Sequence, residues 1–299
     1  MSATVLKIIA VICMTLDHLS TFLGAPLPLR YVGRIAAVIF FFCAAESAVH
    51  THDRRKYLLR LYKMSLLMTA LSVLIPFILN GWFPGRSFRT PGNNIFTELL
   101  PGVWIIDILE STRQDPARRK KRLRSFILYQ LATIPIGLAL SMLIGDKLHV
   151  PDRVLFWPLG SLFMSEGSLW LTLMIPLFYA LRGSKKKLTI GYTVYCALYA
   201  AITVPQLPAR FFRFFTARMP LLSDAMMNMI GLLGFDPLQQ NLSLSESLLQ
   251  YNFQCFMILA LPLLLLYNGE RGKGYKRFFY IYYPAHIYVL YILSHFLQI

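Results

Sequence analysis

The chain has 299 residues, is 56% hydrophobic and only 15% charged, and its mean hydropathy is positive. That profile excludes an average soluble domain, because its long recurrent apolar runs are the signature of membrane-spanning helices. A net charge of +16 would direct a soluble protein to nucleic acid, but here most basic residues fall in short loops between the runs. Positive-inside topology and anionic lipid headgroups account for them, so lipids and not nucleic acid are the expected partner.

Apolar runs lie at 4–24, 31–50, 58–80, 93–110, 124–145, 166–182, 188–204, 250–267 and 278–297. A shorter run at 219–234, rich in Met and Gly, reads as a tenth span, a re-entrant hairpin or an interfacial helix. The expectation is an all-α polytopic membrane protein, one domain over 1–299 with about nine or ten transmembrane helices. The first run follows only one basic residue, Lys7, and no small-residue cleavage site follows it, so it reads as a span and not as a leader. Basic loops occur at 53–56, 117–124, 182–187 and 270–277, after alternate runs. They therefore share one side, the cytosol, together with the N-terminus. The segment 205–249 falls on the other side as an extracytoplasmic or re-entrant insertion; its alternation of Arg210, Arg213 and Arg218 with Phe211, Phe212, Phe214 and Phe215 suits an interfacial amphipathic stretch. Cys13, Cys43, Cys196 and Cys255 sit in apolar runs without metal-ligand spacing and read as small buried hydrophobes. No metal site is expected.

Ionisable residues inside a span are costly, and by default they mark function. The first run carries Lys7, Asp17 and His18. Lys7 and His18 are eleven residues apart, close to three turns and about 16 Å of rise, so they share nearly one face. Asp17 points about a quarter turn away, to a partner on another helix such as Arg34. His18 has the side chain suited to general-base work; the plain alternative is a structural hydrogen bond between helices. In the second run Arg34 lies near the outer side, and Glu46 and His50, four apart on one face, lie nearer the cytosol. They orient a histidine or bind a proton, or else form a helix-end ion pair with Arg54 or Arg60. Asn93, Asn94, Thr97 and Glu98 cluster at the start of the fourth run, as a helix cap or as substrate contacts. Near the end, a glycine-spaced basic loop with Lys273, Lys276 and Arg277 leads into an aromatic span holding Tyr283, Pro284 and His286. Such a loop suits phosphates, although topology alone explains most of it.

Taken in order, LKIIAVICMTLDH, GRIAAVIFFFCAAESAVHTHDRRKYLLRL, NIFTELLPG, EGSLWLTLMIPLFYALR and LPLLLLYNGERGKGYKRFFYIYYPAHIYVL resemble the TraX family of conjugative-pilus acetylase-like bacterial membrane proteins. The resemblance covers most of the chain and departs at 205–249. The Lys7-to-His18 spacing is also similar to the Lys/Arg-x10-His pattern of the wider class of membrane acyltransferases. The resemblance implies acyl transfer, with cytosolic acetyl-CoA as donor cosubstrate, in a bacterial inner membrane. The acceptor is an amine or hydroxyl on a protein, peptide or glycan, with the N-terminus of pilin as the family's association.

Combining both lines, His18 is expected to take the proton from the acceptor, with Asp17 or Glu46 orienting its ring. Arg34 stabilises the oxyanion or holds an acidic acceptor group. Lys7, Arg60, Lys273 and Arg277 contact the nucleotide end of acetyl-CoA. Asn94, Glu98, His50, Tyr283 and His286 line the substrate path, His286 as a second proton carrier. The opposing reading is a proton-coupled transporter or flippase that uses the same buried Asp, Glu and His as a relay; the sequence shows no internal repeat to support it.

Overall fold

The computed structural model of the chain describes residues 1–145, 150–239 and 241–297. Residue 240, in the 205–249 segment assigned above to the outer side, and residues 146–149 lie outside the described residues. The described chain is helical, with no strand. The principal helices are α1 (Ala3–Leu23), α2 (Pro28–His50), α3 (Arg54–Trp82), α4 (Phe96–Ser111), α5 (Pro116–Leu140), α6 (Ser168–Leu181), α7 (Lys185–Thr203), α8 (Leu207–Thr216), α9 (Ser223–Leu232) and α10 (Lys276–Leu297).

The all-α polytopic class holds. Among the described residues five helical stretches are long and apolar enough to cross a membrane: α1, α2, α3, α5 with its continuation to Gly145, and α7 with α8. A sixth arises if Leu244–Tyr251 and Phe253–Leu265, bent by 68° at their break, are one span. The other expected runs fall on helices that are shorter or less apolar than these. Helix α4 has 16 residues and α6 has 14, about 24 and 21 Å of rise against a hydrocarbon core of about 30 Å. Helix α10 has the length, 22 residues, but dilutes its apolar side chains with five tyrosines and two histidines. The run 219–234 contains only the ten-residue α9 behind a 3-10 turn.

The chain divides into two compact units, Met1–Cys43 with Ala180–Ile299, and Ala44–Tyr179, with α2 running from one into the other. In the first unit α1 packs on α10. Its start is closed by the basic loop: Ala3 N–H donates to Glu270 O at 2.8 Å, Thr4 N–H to Arg271 O at 3.2 Å, and the Thr4 hydroxyl to Arg271 O at 2.9 Å. The free N–H groups that begin any helix are thereby met by the loop carbonyls. Gly272 makes this approach possible, with φ +72° and the Ser2 side chain where a Cβ would stand. Helix α7 packs on the 253–265 segment, and the buried Tyr192 hydroxyl donates to Met257 O at 2.6 Å. Between α7 and α8 Gln206 adopts φ +59° and is fixed there by its amide, which pairs with both the N–H and the C=O of Leu242. The expected amphipathic stretch is α8. Its Arg213 donates to Gln239 O at 2.8 Å and to Asn241 Oδ1 at 2.9 Å, while Phe211 and Phe214 stay exposed.

In the second unit α3 packs on α4 and α4 on α5. Ile108, Phe126 and Leu162 form a core with Trp104, Ile105, Leu123 and Leu169 around it. Gln130 in α5 holds the 160–162 turn by accepting from Leu162 N–H at 2.7 Å. The basic helix starts are capped by polar side chains: Asp53 accepts from Lys56 N–H and Asp115 from Arg118 N–H, both at 2.9 Å. In the first unit Ser184 does the same for Lys187 N–H at 3.3 Å. Cys13, Cys43, Cys196 and Cys255 form no disulfide among the described residues, and the first three are buried.

Helix α2 presents Gly33 to α1, and a Cβ there would collide with the Asp17 side chain. Gly33→Ala is therefore expected to lower stability by about 1–3 kcal/mol, the usual cost of overpacking. It would be seen as a reduced thermal unfolding midpoint in detergent, with Gly81→Ala, whose added Cβ meets open space, as the unaffected comparison.

Candidate functional site

Two buried polar clusters stand out, one in each unit. The first begins on α1, where adjacent residues turn to different helices. Asp17 is 8% exposed and pairs with the Arg34 guanidinium of α2. Arg34 is further engaged by Gln254 Oε1 at 3.1 Å and by the Arg30 carbonyl at 3.3 Å. Three of its N–H groups are thus spent on holding Asp17 and the start of α2. Arg30 lies 3.9 Å from Asp17 Oδ1 and stacks over Phe253 at 4.4 Å, the ring that also faces Arg34 at 5.3 Å.

His18, 6% exposed, faces α10 instead. Its Nδ1 lies 2.8 Å from Nε2 of His286, and the two rings stack with centroids 4.9 Å apart. His286 Nδ1 in turn lies 2.8 Å from the Tyr282 carbonyl, with the Tyr282 ring stacked on it. Hydrogen-bond inventory then assigns the protons. A carbonyl only accepts, so His286 Nδ1 carries a proton and donates. Neutral His286 consequently accepts at Nε2, and His18 must donate from Nδ1. His18 Nε2 is left with a lone pair and, among the described residues, no hydrogen-bond partner. Tyr283 packs edge-on against His286, and the Tyr282 hydroxyl is 2.7 Å from Thr15, one helical turn before His18 on α1. No carboxylate contacts the His18 ring among the described residues; the orienting group is an imidazole backed by a carbonyl.

At the start of α1 Lys7 stands 6.0 Å from the centre of the Phe279 ring, and Lys273 and Arg277 are exposed. The first unit thus brings together Asp17, His18, Arg34, Tyr283 and His286, with Lys7, Lys273 and Arg277 at the loop end. Glu46, His50, Arg60, Asn94 and Glu98 belong to the second unit. There Glu46 pairs with His50 at 3.7 Å, on an exposed imidazole where such a pair contributes little. Arg60 stacks at 5.6 Å over Tyr57, and Arg54 bonds Asp107 instead of Glu46.

The second cluster corrects the capping reading of the asparagines. Neither Asn93 nor Asn94 caps α4, whose N-cap is Ile95 without a side-chain bond. Both donate to Glu166: the Asn93 amide at 3.0 Å and the Asn94 backbone N–H at 2.6 Å. Glu98, 1% exposed, accepts from Gly167 N–H beside it. Asn94 is fully buried and its amide also bonds Ser65 O at 3.1 Å. Glu166, Tyr282, Gln254 and Arg30 are the participants that sequence reasoning passed over. Glu166 carried the one available signal, a carboxylate at the head of an apolar run. Two cavities, of about 460 Å³ beside Arg210 and Arg213 and about 390 Å³ beside Arg55, Tyr62 and Trp104, are lined by none of the site residues.

The family model described as TraX protein matches residues 2–204 and 238–294. The unmatched gap, 205–237, holds α8 and α9. Comparison with curated proteins and with solved structures found no match.

The Asp17–Arg34 pair carries a measurable coupling. Asp17→Ala is expected to destabilise by about 3–5 kcal/mol, because it leaves two guanidiniums without a carboxylate, and Arg34→Ala by less, because Arg30 remains beside Asp17. The double variant should cost clearly less than the sum, as read by a double-mutant cycle on unfolding in detergent.

Proposed function

The chain belongs to the TraX family, and from that membership together with the His18–His286 geometry we propose that it is a membrane-embedded acyltransferase. Acetyl-CoA is the donor cosubstrate, and the acceptor is an amine or hydroxyl, with a protein N-terminus such as that of pilin as the leading class. The observation that carries this reading is the lone pair on His18 Nε2, in a ring whose other nitrogen is tied to His286. Acetyl-CoA supplies an activated thioester. His18 Nε2 takes the proton from the acceptor as its N or O bonds to the acyl carbon, and gives it to the thiolate sulfur as the C–S bond breaks. The transient imidazolium is stabilised through its Nδ1–H on His286, which passes polarisation to the Tyr282 carbonyl. His286 is therefore a positioning residue. The Asp17–Arg34 pair locks the neighbouring turn of α1, so the ring is held by packing on both sides. Lys7, Lys273 and Arg277 present cations for the phosphates of the nucleotide. Glu46, His50 and Arg60 have no step in this scheme.

The second reading, a proton-coupled transporter, is favoured by the Glu98–Glu166 cluster, since a buried carboxylate, Glu98, near a half-buried one, Glu166, suits a proton relay. The two readings separate on CoA chemistry. In nanodiscs, with labelled acetyl-CoA and a short peptide bearing a free N-terminus, wild type is expected to release CoA and label the peptide. His18→Ala should reduce that rate by about 10²–10⁴, the usual contribution of a general base. His286→Gln, whose amide oxygen still accepts from His18 Nδ1, should retain more activity than His286→Ala and shift the pH profile less. CoA release equal in wild type and His18→Ala would overturn the acyltransferase reading. Proton uptake that depends on Glu98 without CoA release would establish the transporter.

A further inference from the structure

The charges around Asp17 do not balance. One carboxylate faces two guanidiniums, Arg30 and Arg34, and among the described residues of the first unit no second carboxylate pairs with either. Arg34 is committed to Asp17, Gln254 and the Arg30 carbonyl. Arg30 is not. At 3.9 Å its Nε is beyond hydrogen-bond reach of Asp17 Oδ1, and both atoms are buried without a hydrogen-bond partner. Its side chain makes no hydrogen bond among the described residues, although only 32% of it is exposed. It also lies in the first turn of α2, where the helix dipole adds positive potential to that of the two guanidiniums. Phe253, stacked beneath both cations, supplies the attraction of its ring face and no counter-charge.

We infer that the free edge of Arg30 is an oxyanion site, taking a phosphoryl group of a lipid headgroup or of a soluble phosphate. A guanidinium offers parallel N–H donors that match two oxygens of such a group, and a monoanion there brings the cluster to neutrality. Arg34 is the internal brace that keeps Asp17 from quenching Arg30 at contact distance. The site lies at the α1–α2 connection, a quarter turn or more from the His18 ring, and stands whether or not His18 performs acyl transfer.

The test uses the full chain in a neutral maltoside detergent. Modification of Arg30 by phenylglyoxal is followed by peptide mass spectrometry, with inorganic phosphate, short-chain phosphatidylglycerol or short-chain phosphatidylcholine added. Retention of phosphatidylglycerol is followed in parallel by native mass spectrometry in wild type, Arg30→Gln and Arg30→Lys. Protection of Arg30 by phosphate and by phosphatidylglycerol identifies a site that reads the phosphoryl group itself. Protection by the anionic lipid alone identifies a headgroup site. In either case Arg30→Gln should bind the protecting species about tenfold or more weakly, the loss of a charge-assisted contact. Arg30→Lys, with the charge but not the fork, should fall between. Modification at the same rate with every addition, or Arg30→Gln binding as wild type does, overturns the inference.

Discussion

A carboxylate or an imidazole inside a membrane protein must be met by a partner, because hydrocarbon provides none. Asp17 and His18 impose this requirement twice on consecutive residues of α1. A quarter turn separates their directions, so a single partner helix cannot serve both. Asp17 is answered by α2 through Arg34, and His18 by α10 through His286. Residues 17 and 18 thereby bring the beginning and the end of the chain into one unit. The rest follows from that pairing: the glycine at 33 that admits the carboxylate, the loop at 270–273 that closes the start of α1, and the tyrosine at 282 that sets the histidine tautomer.

The two clusters solve the same burial problem with different chemistry. The first uses neutral imidazoles, each both donor and acceptor, so the direction of the hydrogen bonds is set by one backbone carbonyl at the end of the row. The second uses carboxylates, which accept only, and surrounds them with N–H donors from Asn93, Asn94 and Gly167. A row of imidazoles can carry a proton in and out with little movement. A carboxylate held by a backbone N–H and a side-chain amide fastens a helix start to a loop, and this is what Glu166 does for the 93–98 segment.

Local features of the structure were legible in the sequence. The Asp17–Arg34 partnership follows from helical geometry and the cost of a lone charge, and the Glu46–His50 pair from spacing alone. The His18–His286 bond was not, since its partners are 268 residues apart and periodicity carries no information on which distant helix packs against which. Asparagine before a helix reads as a cap because that is its commonest local use; here Glu166, 72 residues away from Asn94, competes for its N–H and wins. At α4, α6 and α10 hydropathy reached its limit, because an apolar run fixes neither the length of the helix it forms nor its share of polar side chains. Arg30 drew no notice because a basic residue at the end of an apolar run looks like an ordinary topology signal. Only the observation that Asp17 is already taken makes it unusual.

Helices α3, α5 and α7 each carry a polar cap and a cluster of lysines and arginines close behind it. That order is locally unfavourable, since the cations sit at the positive end of the helix dipole and repel one another. Asp53, Asp115 and Ser184 each accept from one N–H of that turn, and carboxylates offset part of the charge, Asp53 pairing with Lys56 and Asp107 with Arg54 and Arg122. An anionic leaflet attracts each basic residue near its surface by about 1 kcal/mol. Acidic headgroups at these helix starts would act on the same charge as the caps, and a bilayer without them would be a weaker solvent for such helices than its hydrocarbon thickness alone indicates.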